Sequence, residues 1–359
     1  MSKIPWYYVS FGDEEFLSLK NTFDIRSFGM GPITRQFEEK LAEYIDVPYV
    51  VATSSGTAAL TMALMALDIG KGDEVIVPNR TWIATAHAVT MVGAKVVLVD
   101  VESDTPLISV EAIEKSITPK TRAIIPVHLG GRIADMESIN SIANKYNLSV
   151  IEDSAQALGA KFKGRHAGTL SDIGCFSLSM GKLIATGQGG FCVTKNKDLY
   201  EKLRLLRSQG VDDILNPKYT INGFNFRITD LQSSLGLAQT YKIDRRIEYL
   251  NKIYSIYEKE FEKHKKIELI PVDYKSGEVP LYIEVLCEER EKIINYLSNN
   301  NIQTRPFYPD LDNAEYLKVK NKHFSNSKNF SSKGLFLPSG PDQKEENVHH
   351  VISLLHSYY

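Results

Sequence analysis

The chain has 359 residues, of which 43% are hydrophobic and 24% charged, the balance of an ordinary soluble globular protein. The 42 Lys and Arg residues nearly cancel the 44 Asp and Glu residues, which leaves a formal net charge of −2. Because no basic field remains, nucleic acid and anionic membrane surfaces are disfavoured as partners. The length suits one large domain with a smaller one.

The cellular compartment is predicted from the cysteines and the apolar stretches. The N-terminal MSKIPWYYVSFGDEE has no apolar core of signal-peptide length, and TAALTMALMALDIG is shorter than the roughly 18 residues that span a bilayer. Cys175, Cys192 and Cys287 lie in strand-like contexts without CxxC spacing, and we interpret them as reduced core residues. The sequence therefore predicts a cytoplasmic protein without a membrane partner.

From about residue 48, strand-like runs alternate with helical stretches. Strands are predicted at YVVATSS, DEVIVP, KVVLVDV, TRAIIPVHL, SVIEDSA, DIGCFSLS and GFCVT. The intervening helices are predicted at GTAALTMALMALDI, TWIATAHAVTMVG, SVEAIEKSI and DMESINSIANKYN. The strands are continuous apolar runs, as expected when helices cover both faces of a mostly parallel sheet. The alternation predicts a doubly wound α/β domain.

The pattern changes towards the C-terminus. One long amphipathic helix is predicted over roughly residues 229–264, connecting the large domain to a smaller one. Strands at IELIPV, PLYIEVL and IQTRPFYP, and helices at EEREKIINYLSNN and QKEENVHHVISLLHSYY, follow it. We therefore predict a large α/β domain at residues 1–240, including the N-terminal segment, and a small α+β domain at residues 241–359.

Ligands of doubly wound sheets bind outside the carboxyl ends of the strands, so residues there are the first candidates. TSSGTAAL follows a strand and opens a helix, and the first helical N–H groups, at Gly56, Thr57 and Ala58, form an anion site. The alternative is a plain Ser/Thr N-cap. The motif is neither a P-loop nor GxGxxG, which disfavours a nucleotide bound in those ways.

Three further candidates follow other strands. Asp153 lies at the tip of SVIEDSA, where an apolar setting requires a cationic partner or a bound proton. Gln156 lies three residues on, with an amide for the same site. Trp82 starts another helix and could stack on a planar ring. Helix capping by Asp153 and core filling by Trp82 are the alternatives.

The stretch CFSLSMGKLIATGQGGFCVT places Lys182 five residues after Ser177, among apolar neighbours. Desolvation would lower the pKa of Lys182 below the usual value of about 10.4. An anion cradle that includes Ser177, a flat side chain, a buried acid and this lysine together suit pyridoxal 5′-phosphate (PLP). The lysine would bond to the aldehyde, and Asp153 would keep the ring nitrogen protonated. We expect no metal site.

The order of SSGTAAL, GDEVIVP, TWIATAHAV, GAKVVLVDV, IEDSAQALGA, DIGCFSLSMGKLIATGQGG and GFNFR resembles the DegT/StrS family of nucleotide-sugar aminotransferases, of PLP fold type I. The resemblance is dense over residues 25–240 and loose in the C-terminal lobe. It implies PLP as cofactor, pyridoxamine phosphate as its intermediate form, glutamate as amino donor and a nucleotide-linked sugar as substrate.

The family's site residues can be carried over to matching positions. The resemblance implies that Lys182 bonds to the cofactor, Asp153 faces its ring nitrogen, and Trp82 stacks on the ring. It also places Gln156 near the phenolic oxygen.

The remaining positions concern the phosphate. Thr57, Ala58 and Ser177 would hold it, and Asn225 would reach the phosphate of the neighbouring subunit. The resemblance therefore implies a homodimer with sites at its interface, in line with the prevalence of two-fold dimers.

GKLIATGQGG is closer to the "K…TTGEGG" of the branch that acts at C4 of 4-keto-6-deoxy sugars, as in perosamine synthases, than to the "PxKNLGALGDAG" of the C3 branch. The resemblance therefore implies C4 amination, for amino sugars of surface polysaccharide or O-antigen. A C3 aminotransferase is one alternative. A sugar dehydratase is another, but those relatives carry His where Lys182 stands. A non-catalytic regulator would show a broken PLP set or an added DNA-binding segment.

Three residues depart from the family pattern. Gln188 replaces the usual Glu of GEGG, Gly130 replaces a frequent aromatic residue, and Asp312 replaces a frequent His. We expect these positions to bear on which sugar is bound, with a substrate wall missing at Gly130. TRPFYP, around Arg305, and RSFGMGP are further stretches where the family often contacts the sugar nucleotide.

Overall fold

The structure, a computed structural model, describes residues 3–213, 215–319 and 323–359. Its strands in chain order are β1 (Tyr49–Thr53), β2 (Glu74–Pro78), β3 (Lys95–Val99), β4 (Thr121–Ile124), β5 (Ser149–Asp153), β6 (Lys161–Phe162), β7 (Arg165–His166), β8 (Ile173–Ser177), β9 (Gly190–Thr194), β10 (Ile267–Leu269), β11 (Ile283–Cys287), β12 (Arg305–Pro306) and β13 (Gly334–Leu337). Its helices are α1 (Asp13–Asp24), α2 (Pro32–Ile45), α3 (Gly56–Ala66), α4 (Ala84–Met91), α5 (Val110–Lys115), α6 (Met136–Tyr146), α7 (Lys197–Arg207), α8 (Asp230–Thr240), α9 (Ile243–Phe261), α10 (Arg290–Asn299), α11 (Ser325–Lys333) and α12 (Glu345–Tyr358).

The large sheet has seven strands within the described residues, in the order β1-β9-β8-β5-β4-β2-β3. Strand β9 runs antiparallel to both neighbours, and the other pairs within the sheet are parallel. The predicted doubly wound, mostly parallel α/β fold is confirmed. Because β1, β2, β5 and β8 point the same way, their carboxyl ends meet along one edge of the sheet.

Helix α3 begins at that edge and is almost wholly buried. The side chain of Ser55 accepts a hydrogen bond from the Ala58 N–H and so caps the helix. A Cβ atom added to Gly56 would lie 2.9 Å from Cβ of Ser177. The first turn of α3 therefore lies directly against the end of β8, an approach that requires glycine.

The smaller sheet is antiparallel, in the order β10-β11-β13-β12. Helix α11 and strand β13 were not predicted, and β12 is much shorter than the predicted IQTRPFYP strand. The N-terminal segment reaches this part of the fold, because Ile4 forms a β-bridge with Ile302 and Tyr7 forms one with Ser339. The domain boundary at residue 240 stays a prediction.

The single helix predicted over residues 229–264 is wrong. The structure has two helices, α8 and α9, with a turn at Tyr241 and Lys242. Neither residue is glycine or proline, so the sequence carries no local signal for the break. The two helices pack on different partners: α8 on α1 and α2, and α9 on β10 and α12. Tertiary packing therefore overrides the continuous amphipathic pattern.

The structure also bears on the three cysteines and on the apolar helices. Cys175, Cys192 and Cys287 are buried and unpaired, as predicted. Across the described ranges, no helix combines the length and the apolar character needed to cross a bilayer.

Candidate active site

A cleft of about 410 Å³ lies over the carboxyl edge of the large sheet, between it and the smaller sheet. Most of the predicted site residues line this cleft, namely Gly56, Thr57, Trp82, Asp153, Gln156, Ser177 and Lys182. Ala58 and Asn225 are not among the lining residues. Side chains that are far apart in sequence are thus brought to one place by the parallel strand ends.

The loop that carries Lys182 connects β8 to β9. Its base is apolar, since Leu183 and Ile184 are buried directly after the lysine. The Lys182 N–H donates to the carbonyl oxygen of Ser179 at 3.0 Å and closes a turn. The Leu178 N–H donates to the Gly189 oxygen at 2.8 Å, which ties the two ends of the loop together.

The amine of Lys182 faces the cleft without a partner. It forms no hydrogen bond or ion pair with another residue in the described part of the chain. Burial lowers the pKa of Lys182 to about 8, opposed by the charge of Asp153 and assisted by that of Arg305. The amine therefore loses its proton at a lower pH than an ordinary lysine does, which favours the neutral form that a nucleophile needs.

Asp153 is oriented by two donors. Its Oδ2 accepts from Thr85 Oγ1 at 2.8 Å, and its Oδ1 accepts from the Ala155 N–H at 3.2 Å. Burial raises the pKa of the Asp153 carboxyl, against the opposing effects of Thr85, Ala155 and Lys182. A cationic group placed beside the carboxylate would reverse this shift, so the site suits a protonated ring nitrogen.

Glu152, the neighbouring acid, has a different role. Its side chain points to the opposite side of β5, where it is fully buried and contacts His128 Nε2 at 3.0 Å. It also accepts from the N–H groups of Gly168 and Leu170, at 2.7 and 2.8 Å. Glu152 therefore stabilises the fold beneath Asp153 rather than lining the cleft.

At the N-terminal end of α3, the predicted anion site and its alternative, a plain Ser N-cap, do not exclude each other. The Ala58 N–H is taken by Ser55 Oγ at 3.1 Å, so the N-cap is present. Gly56, Thr57 and Ser177 line the cleft at the N-terminal end of α3. The positive end of the helix and the Ser177 hydroxyl provide the chemistry of an anion site there.

Gln156 and Trp82 complete the predicted set. The Gln156 Oε1 accepts from the Gly130 N–H at 2.8 Å, which leaves its amide –NH₂ as a donor towards Tyr308 and the cleft. Trp82 is 48% exposed, so it does not fill the core. Its ring meets that of Tyr308 edge-on, with the centroids 5.6 Å apart.

The wall opposite the sheet was not predicted. Trp6 from the N-terminal segment packs against Tyr282, directly before β11, and against Phe336 of β13, with ring centroids 5.7 Å apart in both pairs. The Arg305 guanidinium lies 5.3 Å from the Trp6 ring centroid and 5.7 Å from that of Trp82. Only the family resemblance of TRPFYP pointed to Arg305, and no periodic pattern marks the aromatic residues.

The three departures lie in different surroundings. Gln188 lines the cleft, whereas Gly130 and Asp312 do not. Asp312 exchanges hydrogen bonds with Asn79, whose Nδ2 donates to its Oδ1 at 3.0 Å. A Cβ atom at Gly130 would lie 2.4 Å from Glu284 Oε2. The expected missing wall at Gly130 is therefore not a gap in the cleft, because a buried ion pair fills that space.

Asn225 lies on the surface, away from the cleft of its own chain. Its Oδ1 accepts from Arg227 Nε at 2.9 Å. Within one subunit it therefore contacts none of the other predicted site residues.

An unpaired lysine and a buried carboxylate in one cleft, over the carboxyl edge of a mostly parallel sheet with a smaller antiparallel sheet beside it, are typical of PLP-dependent enzymes of fold type I. The chain belongs to the DegT/DnrJ/EryC1/StrS aminotransferase family, whose profile matches residues 10–356.

Similar proteins agree with this assignment over the full length. The GDP-perosamine synthase of Escherichia coli O157:H7 is 36% identical over 367 residues, covering 100% of this chain and 99% of that protein. The solved structure of S. venezuelae DesV has a TM-score of 0.95 and 29% identity, covering 100% and 99% of the two chains. E coli GDP-4-keto-6-deoxy-D-mannose-3-dehydratase with bound hydrated PLP has a TM-score of 0.91 and 25% identity, covering 99% and 100%.

Proposed function

We propose that this protein uses PLP to move an amino group from glutamate to the C4 keto carbon of a nucleotide-linked 4-keto-6-deoxy sugar. The observation that carries the proposal is the unpaired Lys182 amine in the same cleft as the Asp153 carboxylate. Similarity to a GDP-perosamine synthase supports the substrate class and favours C4 over C3.

The cleft fits PLP at its phosphate end. Glycine at position 56 lets the first turn of α3 lie directly against Ser177, so that both line the cleft together. N–H groups of that turn and the Ser177 hydroxyl can donate to phosphate oxygens. Thr57 lines the same end of the cleft.

The cleft also fits the ring end. When bound, PLP supplies an aldehyde that exchanges amino groups and a ring that accepts electrons. Asp153 would hold a proton at the ring nitrogen, and Thr85 keeps its carboxylate in place. Trp82 would contact the ring, and Gln156 would donate from its –NH₂ group. The Lys182 amine would bond the cofactor and would carry protons between substrate atoms.

A dehydratase is the second candidate, because one similar structure carries that name. Lys182 argues against it, since the dehydratases of this family are expected to have His at that position. Incubation with PLP, glutamate and a panel of GDP-, UDP- and dTDP-linked 4-keto-6-deoxy sugars distinguishes the two. We expect an amino sugar substituted at C4 by NMR. A deoxygenated sugar, or amination at C3, would contradict the proposal.

The role of Lys182 has a direct test that does not depend on the substrate. The purified protein with PLP should show a visible absorbance band that borohydride fixes onto a single peptide, the one containing residue 182. The Lys182→Ala variant should lose that covalent attachment. Attachment that persists in the variant would refute the assigned role.

We also propose that the active unit is a homodimer in which Asn225 serves the partner's phosphate site. Such an interface is supported by large apolar side chains that a single chain exposes on α1 and just after it: Phe16, Leu17, Phe23, Ile25 and Phe28. If the site is shared, mixing inactive Lys182→Ala subunits with Asn225→Ala subunits restores about a quarter of wild-type activity through mixed dimers. Recovery no greater than the sum of the separate variants would exclude the shared site.

We place this reaction in the cytoplasm, as a step that supplies amino sugars for surface polysaccharide such as O-antigen. The unpaired cysteines are compatible with a reducing compartment. Cell fractionation and the polysaccharide composition of a deletion strain test the two statements separately.

A further inference from the structure

The backbone on both sides of Lys182 is held by side chains from distant elements. Before the lysine, the Tyr282 hydroxyl donates to the Gly181 carbonyl oxygen at 2.8 Å. After the lysine, Arg246 Nη1 donates to the Leu183 carbonyl oxygen at 2.9 Å. The carbonyl groups of the residues before and after Lys182 are therefore fixed independently, one by a residue next to the smaller sheet and one by a residue of α9.

A third contact fixes the loop two residues further on. The Gln239 amide pairs with both backbone groups of Ala185: its Oε1 accepts from the N–H at 3.0 Å, and its Nε2 donates to the carbonyl at 2.9 Å. Arg246 Nη1 also donates to Gln239 Oε1, at 2.7 Å. Gln239 is completely buried, so these bonds do not compete with water.

Arg246 extends this network to both ends of the chain. Its Nη2 donates to the Ser10 carbonyl oxygen at 3.2 Å and lies 3.5 Å from Asp342 Oδ2. The guanidinium is 2% exposed and its planar fork reaches several acceptors at once, which a lysine could not do. The lysine loop is thus connected through one side chain to the N-terminal segment and to the region before α12.

We propose that these three side chains are positioning residues that hold the Lys182 amine in the cleft, towards Asp153. We call them the loop anchors: Tyr282, Arg246 and Gln239. This inference rests on the role proposed for Lys182. None of these four hydrogen bonds involves the lysine side chain, so the anchors act through the backbone. Apolar contacts at the base of the loop are non-directional, whereas hydrogen bonds at residues 181, 183 and 185 fix its register.

Tyr282→Phe tests the proposal with the smallest change, the loss of one hydroxyl. Tyr257→Phe is the matched control, because the Tyr257 hydroxyl also donates to a buried backbone oxygen, that of Pro338 at 3.0 Å, away from the cleft. Reductive methylation of the cofactor-free protein, followed by peptide mass spectrometry, gives the pH midpoint at which Lys182 becomes reactive. This readout needs neither PLP nor substrate.

We expect the midpoint of Tyr282→Phe to rise by about one pH unit, because a freed loop lets water reach the amine. With PLP bound, kcat should fall by about tenfold, since misplacement of a catalytic group by a fraction of an ångström has that order of effect. Tyr257→Phe should match the wild type in both. A midpoint and kcat unchanged in Tyr282→Phe would overturn the proposal for that anchor.

Gln239→Leu tests a second anchor that does not line the cleft. Circular dichroism verifies its fold before methylation is measured. We expect a raised midpoint again. If the midpoint is unchanged both in a folded Gln239→Leu protein and in Tyr282→Phe, the loop does not depend on its anchors and the proposal is wrong. If Gln239→Leu does not fold, the result for Tyr282→Phe decides alone. Failure of the proposed function would appear elsewhere, as covalent PLP in the Lys182→Ala variant.

Discussion

Thr85 donates its hydroxyl proton to Oδ2 of Asp153 at 2.8 Å, inside the first turn of α4 and across from the end of β5. It is the only side-chain hydroxyl that bonds this carboxylate in the described residues. The bond favours the charged form of Asp153, whose pKa burial otherwise raises. Thr85 therefore helps to keep the carboxylate ready for a protonated ring nitrogen.

Thr85→Val retains the side-chain shape and removes this donor. Because a hydrogen bond to a charged group contributes about 1.5–3 kcal/mol, PLP binding should weaken by about tenfold or more. The pKa of Asp153 should rise further, so that the acidic loss of PLP affinity moves to higher pH. Fluorescence titration of PLP across pH measures both effects.

Thr90→Val on the same helix is the control. The Thr90 hydroxyl donates to the backbone oxygen of His87 at 2.9 Å and is remote from the carboxylate. Equal PLP affinity and an identical acidic limit in the two variants would show that Thr85 does not act on Asp153.

The lowered pKa of Lys182 predicts a pH-dependent stability of the cofactor-free protein. The folded pKa is about 8 and the ordinary value 10.5, so between these values the unfolded chain binds more protons than the folded one. The free energy of unfolding should therefore rise with pH across this window. This gain in stability is lost as the pH falls from 10.5 through 8.

Lys182→Met removes this group, and the difference between the two proteins isolates its effect from that of other titrating residues. Urea unfolding at pH 7.5 and pH 10 should show a rise in the stability of the wild type relative to the variant. Parallel curves for the two proteins would mean that Lys182 titrates normally.

Gln188 gives the third prediction. Among the described residues that line the cleft, Asp153 is the only acid, while Lys182 and Arg305 are both basic. Gln188→Glu would introduce the residue that the family resemblance implies and add a carboxylate to the cleft that the two cations line. The methylation midpoint of Lys182 should rise, by up to about one unit, and the KM for the nucleotide sugar should increase severalfold.

Gln188→Met, which is uncharged and of similar length, should leave the Lys182 midpoint unchanged. If both substitutions have the same effect, the loss of the amide rather than the added charge is responsible.

Gly130→Ala gives the fourth prediction, on stability. Gly130 has φ +65°, and an added Cβ would press on both Glu284 and Arg132, which form a buried ion pair. Backbone strain of about 1–3 kcal/mol adds to the disturbance of this ion pair. The free energy of unfolding should therefore fall by about 3–5 kcal/mol in total. Urea denaturation measures it.

Gly164→Ala separates the two causes. Gly164 has φ +80° but nothing within 4 Å of an added Cβ, so that variant carries the backbone strain alone. A loss no greater in Gly130→Ala than in Gly164→Ala would mean that the ion pair shifts freely.

Most of the large domain could be predicted from sequence because its signals are local. Continuous apolar strands, helices of period 3.6 and polar residues directly after the strands are all read from neighbouring positions. The parallel topology then requires Asp153, Trp82 and Ser177 to share one edge, which the structure confirms. The turn between α8 and α9 could not be predicted, because it arises from the packing of the two helices against different partners.

The order of residues along the chain determined the α/β class, the strand ends that carry the candidate site and the lysine with its apolar base. Only the tertiary structure decided what closes the cleft and what holds the lysine loop. Trp6 and Phe336 meet across the length of the chain, and Arg246 reaches a loop 63 residues away. Such contacts depend on how two sheets and a terminal segment are brought together, and no local pattern of residues encodes that arrangement.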